Sequence, residues 1–137
     1  MKCINCGKEG TWKRSVHKLC INCFSSRQYS SYIKKWLETG KLETKSRPRN
    51  YVRRYLMEEQ KDKCAICSIE NTWNNQHLNF VIDHADGNYK NNIRSNLRML
   101  CPNCDSQLPT FKGKNKGNGR EYDRVYRRNA YRNKNIN

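Results

Sequence analysis

A small α+β fold held together by metal is what this sequence predicts, on three observations. The 137-residue chain is poor in core material: 35% of its residues are hydrophobic and its mean hydropathy is −1.13. Apolar burial alone cannot hold so short and polar a chain together. Its eight cysteines form four Cys-x-x-Cys pairs with none left over: Cys3/Cys6, Cys20/Cys23, Cys64/Cys67 and Cys101/Cys104. Between the third and fourth pairs, the apolar runs Leu78–Asp83 and Leu97–Leu100 flank a turn-rich stretch and lead into a helix signal, so the segment reads strand, loop, strand, helix.

Charge narrows the function classes. Lys and Arg number 28 against 12 Asp and Glu, a formal net charge of +16. Such an excess points to a polyanion, and nucleic acid is the default one. No apolar run approaches the ~20 residues of a membrane span. The opening Met1-Lys2-Cys3-Ile4-Asn5-Cys6 has no apolar h-region, so a secretory signal is not expected and a cytoplasmic, reducing setting is. A small-molecule enzyme with a deep apolar pocket does not suit this composition.

In a reducing setting, paired cysteines read as metal ligands rather than disulfides. A tight turn presents both thiolates of a Cys-x-x-Cys pair to one ion, and two pairs complete a tetrahedral zinc site. The first two pairs are 13 residues apart, which suits one compact ribbon; the last two are 33 apart, room for a folded element. Redox Cys-x-x-Cys is the rival, but it sits before a helix in a βαβ unit and no such pattern is present. Two structural zinc ions are therefore expected: Cys3, Cys6, Cys20 and Cys23 on the first, Cys64, Cys67, Cys101 and Cys104 on the second. Zinc would supply folding free energy that the thin core does not.

Residues 1–23 form the expected ribbon, with Trp12 and Val16 over the metal and His17 on the surface or on phosphate, a ligand role for His17 being the rival. Residues 25–39 read as a helix, since Tyr29, Tyr32, Ile33, Trp36 and Leu37 recur at helical spacing and Gly40 is a C′ stop. That stripe reads as packing rather than base stacking. Residues 41–50 are polar, contain Pro48 and read as a linker. A second helix over 51–60 carries Val52, Tyr55 and Leu56 on one face. Residues 68–77 read as a polar loop. Asp86, Gly87 and Asn88 signal a turn, and Pro102 suits the first turn of a helix. The stretch from Lys112 to Asn137 holds nine Lys/Arg and two acids. It reads as a basic tail on the phosphate backbone, with a helix around 120–132 and a solubilising tail as the rival. The organisation expected is a ribbon and helix over 1–42, a second module over 51–118 and a tail over 119–137.

Chemistry gathers where the first strand ends. Asp83 and His84 close it, and Asp105 follows the last cysteine. Phosphodiester hydrolysis needs a base for the attacking water and a cation for charge on the leaving oxygen. A lone imidazole titrates near ~6.5 and serves as base at neutral pH. Two carboxylates on facing elements suit a hard cation such as Mg²⁺. Adjacent strand residues point to opposite faces, so Asp83 and His84 share a site only if the strand ends or twists there. The rival is structural: Asp83 capping a turn and His84 filling a polar gap.

The segment from Tyr51 to Asn118, about half the chain, resembles the HNH endonuclease family in its phage and bacterial zinc-knuckle form. The resemblance is carried by Cys64-Ala-Ile-Cys67, Asp83-His84-Ala-Asp86-Gly87-Asn88, Asn96-Leu97-Arg98-Met99-Leu100-Cys101-Pro102-Asn103-Cys104, Ser106-Gln107 and Thr110-Phe111-Lys112-Gly113-Lys114-Asn115. It implies a ββα-metal (His-Me) finger. It implies His84 as general base, Asp83 as metal ligand and Asn96 as the brace of the long loop. Asp105 stands where the family usually has its last His; related junction-resolving phage nucleases carry Asn there. An Asp favours one catalytic Mg²⁺ or Mn²⁺ over Ni²⁺ or Zn²⁺. The first 40 residues match the family nowhere and read as an appendage for DNA, with a protein-binding ribbon as the rival.

The function expected is a metal-dependent endonuclease that nicks or cuts DNA, of phage or mobile-element kind, homing endonucleases included. Arg94, Arg98, Lys112, Lys114 and Arg120 are its expected phosphate contacts. The alternative is a non-catalytic zinc-ribbon DNA-binding regulator, for which Asp105 in place of His is the best argument. An RNA-directed role has no motif in its favour.

Overall fold

The computed structural model describes residues 1–11, 18–42 and 48–115. Trp12, Val16 and His17, much of the expected linker, and the tail from residue 116 with Arg120 and the 120–132 stretch lie outside the described residues. The chain is a small α+β protein with two four-cysteine clusters. It divides between Val52 and Arg53 into two compact units.

The first unit opens on a knuckle turn. The Cys3 N–H donates to the Lys8 carbonyl and the Gly7 N–H to the Cys3 carbonyl, both at 2.9 Å. Gly7 has φ 72°, a left-handed conformation that glycine adopts freely. Helix α1 spans Ile21–Thr39, starting four residues before the expected 25. Its first turn is the second knuckle itself: Cys20 is the N-cap, and the Phe24 N–H donates to the Cys20 carbonyl. Gly40, at φ 65°, ends the helix as expected, its N–H on the Trp36 carbonyl at 2.7 Å. Ile33 and Trp36 are buried and Tyr32 stacks on Tyr51 at 5.4 Å between ring centroids. Leu37 is 44% exposed, because one step beyond Trp36 turns it about 100° off the buried stripe.

Helix α2 spans Pro48–Glu59. It begins earlier than expected because Pro48 occupies its first position, where the locked φ helps and no N–H is needed. Val52 and Leu56 are buried as their spacing requires.

The second unit repeats the knuckle of the first. The Cys64 N–H donates to the Ile69 carbonyl and the Ser68 N–H to the Cys64 carbonyl. An isolated bridge pairs Lys63 with Glu70, as another pairs Lys2 with Glu9. The repeat is visible in the sequence: Lys-Cys-x-x-Cys-x-x-Glu occurs at 2–9 and again at 63–70. The expected polar loop 68–77 contains a small hairpin, β1 Thr72–Trp73 against β2 Gln76–His77. Its turn residues Asn74 and Asn75 have φ 51° and 58°, the type I′ geometry that Asn tolerates.

Strands β3 (Val81–His84) and β4 (Leu97–Leu100) pair antiparallel, with Asp83 opposite Arg98 and His84 opposite Leu97. β3 starts later than expected because the Leu78 N–H is spent on the Asn71 carbonyl beneath the small hairpin. A 3₁₀ turn, Arg94–Asn96, leads into β4, and helix α3 spans Pro102–Gln107. Phe80, Leu97, Met99 and Leu100 are buried with Cys64 and Cys101. Side chains after residue 52 tie α2 to the strands. Arg53 donates to the Phe80 carbonyl at 2.5 Å. Gln60 brackets Met99, donating to its carbonyl at 3.0 Å and accepting from its N–H at 2.9 Å. Among the described residues no helix is long and apolar enough to cross a membrane.

Candidate functional site

All eight cysteines are free thiols gathered in two quartets. In each, one sulfur from every residue lies within 4.8 Å of the others. The Sγ atoms of Cys6 and Cys20, and of Cys67 and Cys101, stand 3.7 Å apart. A tetrahedron of Zn–S bonds near ~2.3 Å has an S–S edge of about 3.8 Å, so the donors fit zinc in number, chemistry and spacing. Backbone donors prepare the charge. The Cys20 N–H lies 3.2 Å from Cys3 Sγ and, chief among several donors, brings that thiol down to about 6. Burial pushes Cys64 up, but the N–H groups of Cys101, Cys67 and Ile66 outweigh it and leave that thiol at about 6 as well. Cys104 is pushed up to about 12 by burial and then by the neighbouring sulfurs. Each quartet thus concentrates negative charge that a dication neutralises.

The second quartet holds the ends of the catalytic candidate. Cys101 is the N-cap of α3, its sulfur accepting from the Cys104 N–H at 3.5 Å. Asp105, the next residue, lies in the first turn. Burial raises its carboxyl above the usual carboxylate range, the charge of Asp83 adds to the rise, and Lys112 pulls the other way. The charge of Asp83 on β3 thus reaches Asp105 on α3. Asp83 is 7% exposed, and its Oδ2 accepts from Arg98 Nε at 2.7 Å. Beyond the cysteine quartets, the described residues hold no group of three or more ligating side chains this close. Two oxygen donors suit Mg²⁺ or Mn²⁺, ions that retain several waters; Asp83 Oδ1 and the Asp105 carboxylate are the donors on offer.

His84 is the last residue of β3, half-buried, and its Nε2 lies 2.9 Å from Asn92 Oδ1. The Asn92 Nδ2 donates to the Lys90 carbonyl at 3.3 Å, which leaves Oδ1 as the acceptor facing the ring. With Asn92 in this orientation Nε2 donates to Oδ1, and Nδ1 is the nitrogen left for another partner. Asn92 was not among the residues singled out from the sequence; only its place in an Asn-rich loop hinted at it.

Asn96 is 8% exposed and ties the ends of that loop. Its Nδ2 donates to Asp86 Oδ1 at 2.9 Å and to the Asn91 carbonyl at 2.8 Å, and its Oδ1 accepts from the Asp86 N–H at 3.0 Å. Its own carbonyl accepts from the Ala85 N–H at 2.9 Å. Asp86 lies below the usual carboxylate range because the Asn91 amide, the Asn88 N–H and the Asn96 amide all donate to it. The turn is closed by Gly87, at φ 72°, whose carbonyl accepts from Asn115 Nδ2 at 2.7 Å. A Cβ there would stand 2.8 Å from both Asn115 Oδ1 and Thr110 Cγ2. Residues 110–115 are thus clamped onto the turn.

The expected phosphate contacts are differently engaged. Arg94 pairs with Glu59 and donates to the Leu97 carbonyl at 3.0 Å. Arg98 holds Asp83. Lys112 and Lys114 are exposed, in a 3₁₀ turn after α3. Arg120 lies outside the described residues.

No protein-family model and no solved structure matches the chain. Over 55 residues it is 44% identical to the H-N-H endonuclease F-TflIV of Escherichia phage T5, a stretch that is 40% of this chain and 24% of that protein. The chain thus aligns with about a quarter of the curated relative's length. That identity supports the assignment of this chain to the HNH endonuclease family.

Proposed function

We propose that the chain is a metal-dependent endonuclease that hydrolyses DNA phosphodiester bonds through a ββα-metal finger formed by β3, β4 and α3. The observation that carries the reading is Asp83 and His84 side by side at the end of β3, with Asn92 on the His84 ring and Asp105 in the first turn of α3. In this reading His84 Nδ1 takes a proton from the attacking water while Asn92 keeps the ring oriented. Asp83 and Asp105 hold one Mg²⁺ or Mn²⁺, which supplies charge neutralisation at the phosphate and the leaving oxygen. Asn96 keeps the loop shut, and so keeps His84 in place. Lys112 and Lys114 contact flanking phosphates. Zinc fills both cysteine quartets and fixes the β4–α3 junction. The first unit and the basic tail add DNA affinity.

One observation favours the non-catalytic DNA-binding reading: Arg98 already occupies one oxygen of Asp83. The experiment that separates the two is Asp105→Ala assayed across Mg²⁺ and Mn²⁺ concentrations. The nuclease reading expects weakened cleavage that raised metal partly restores, and Asp105→His should broaden the metals accepted. Cleavage indifferent to Asp105→Ala would remove that residue from the site.

A further inference from the structure

The small hairpin over 72–77 is not part of the catalytic apparatus, and its surface differs from the rest of the second unit. Thr72, Trp73, Asn74, Asn75, Gln76 and His77 are all exposed. Trp73 is 64% exposed, an uncommon state for so large an apolar ring. Among the described residues, none of these six side chains makes a hydrogen bond, ion pair or ring contact. Five asparagines of the loop beside the strands behave otherwise. Asn88, Asn91, Asn92, Asn96 and Asn115 each bond within the protein.

The hairpin is also tied at its turn and its base. Its two-residue turn has both asparagines in the left-handed region, matched to the twist of the strands. Its base is closed by the Leu78 N–H on the Asn71 carbonyl at 2.8 Å and the Asn71 N–H on the Asp62 carbonyl at 3.0 Å. The second knuckle lies immediately before it, with Lys63 bridged to Glu70. It is therefore an exposed hairpin carrying one flat ring, three amides and an imidazole, with no acid among its six residues.

That side-chain set matches the edges and faces of nucleobases. Amides pair bidentately with adenine, and a tryptophan stacks on a base or wedges a base step. The chain that carries it has a net charge of +16, which brings the polyanion to it without specifying sequence. We infer that the Thr72–His77 hairpin is a base-contacting ribbon that selects the DNA site, separate from the residues that hold phosphate. The inference rests on DNA being the substrate.

The test uses the full zinc-loaded chain and a library of DNA duplexes with a randomised centre. The probes are Trp73→Ala and the double variant Gln76→Ala/His77→Ala. Both lie on an exposed surface, where substitution has little effect on folding, and zinc content checks this. The expected result is a preferred sequence for the wild type. In either variant that preference should fall by roughly five- to 100-fold, with retained binding to the unselected pool and a retained salt slope. Wild-type selection that survives both variants at full strength overturns the role of the hairpin and leaves the nuclease reading standing. Wild-type binding with no sequence preference overturns it equally. A wild type that binds no duplex at all overturns the DNA reading together with it.

Discussion

Replacing Asn96 by alanine tests the brace on which the site depends. The substitution removes two hydrogen bonds from the amide donor and one to its oxygen. The Asp86 carboxylate is exposed, so water replaces most of that bond and its small remainder is left out of the sum. The bonds to the Asn91 carbonyl and the Asp86 N–H are neutral and partly buried, at about 1 kcal/mol each. Closing the loop should become less favourable by about 2 kcal/mol, or roughly 30-fold in amide exchange. Hydrogen exchange on the zinc-loaded protein reads this directly. The N–H groups of Ala85, Gly87 and Asn91 should speed up, while those of the β3–β4 ladder stay slow. Asn96→Asp should be at least as damaging at neutral pH, since it sets a second carboxylate against Asp86. The pH sign follows from Asp86, whose carboxyl is depressed in the fold by the Asn91, Asn88 and Asn96 donors. A depressed carboxyl contributes stability present above its unfolded value, near ~3.9, and lost as pH falls through the folded one. The wild-type loop should therefore loosen in acid, and Asn96→Ala, lacking one donor, should show a shallower loss. Exchange at Ala85 and Gly87 within about threefold of wild type would refute the brace, given the magnitudes above.

Two further outcomes follow from the same geometry. Elemental analysis should find about two zinc per chain, and Cys3→Ser should reduce this to about one without emptying the second site; zinc near zero with disulfides formed would contradict both centres. Gly87→Ala should destabilise the second unit by roughly 2–3 kcal/mol, from a left-handed φ plus a Cβ pressed on Asn115 and Thr110. Urea unfolding of the holo protein measures this, and a change under about 0.5 kcal/mol would show that residues 110–115 move aside.

The four Cys-x-x-Cys pairs made both cysteine quartets legible, because ligand spacing is local and four equal donors leave little ambiguity. The turn at Asp86–Asn88 and the return strand Leu97–Leu100 were legible for the same local reason. The hairpin over 72–77 was missed, since two-residue strands carry no periodicity and only the Asn74-Asn75 dipeptide marks it. Helix starts were placed late where a cysteine knuckle or Pro48 supplies the first turn. The partners of Asn92, Arg94 and Arg98 were not legible at all. Each is set by cross-strand register or by a loop closing on itself, and residue type alone does not encode which of two nearby carboxylates a guanidinium meets.

The account turns on His84 as the base at a metal-dependent site. Supercoiled plasmid incubated with the full chain, with and without Mg²⁺ or Mn²⁺, tests that most directly when wild type and His84→Ala are run together. The expected result is relaxed or linear DNA from the wild type only when metal is present. His84→Ala should be slower by roughly 10²–10⁴-fold, with zinc content and duplex binding retained and no rescue by added metal. Cleavage by His84→Ala at the wild-type rate would contradict the assignment of the base. A wild type that binds duplex but never cuts it under either metal would contradict the nuclease itself.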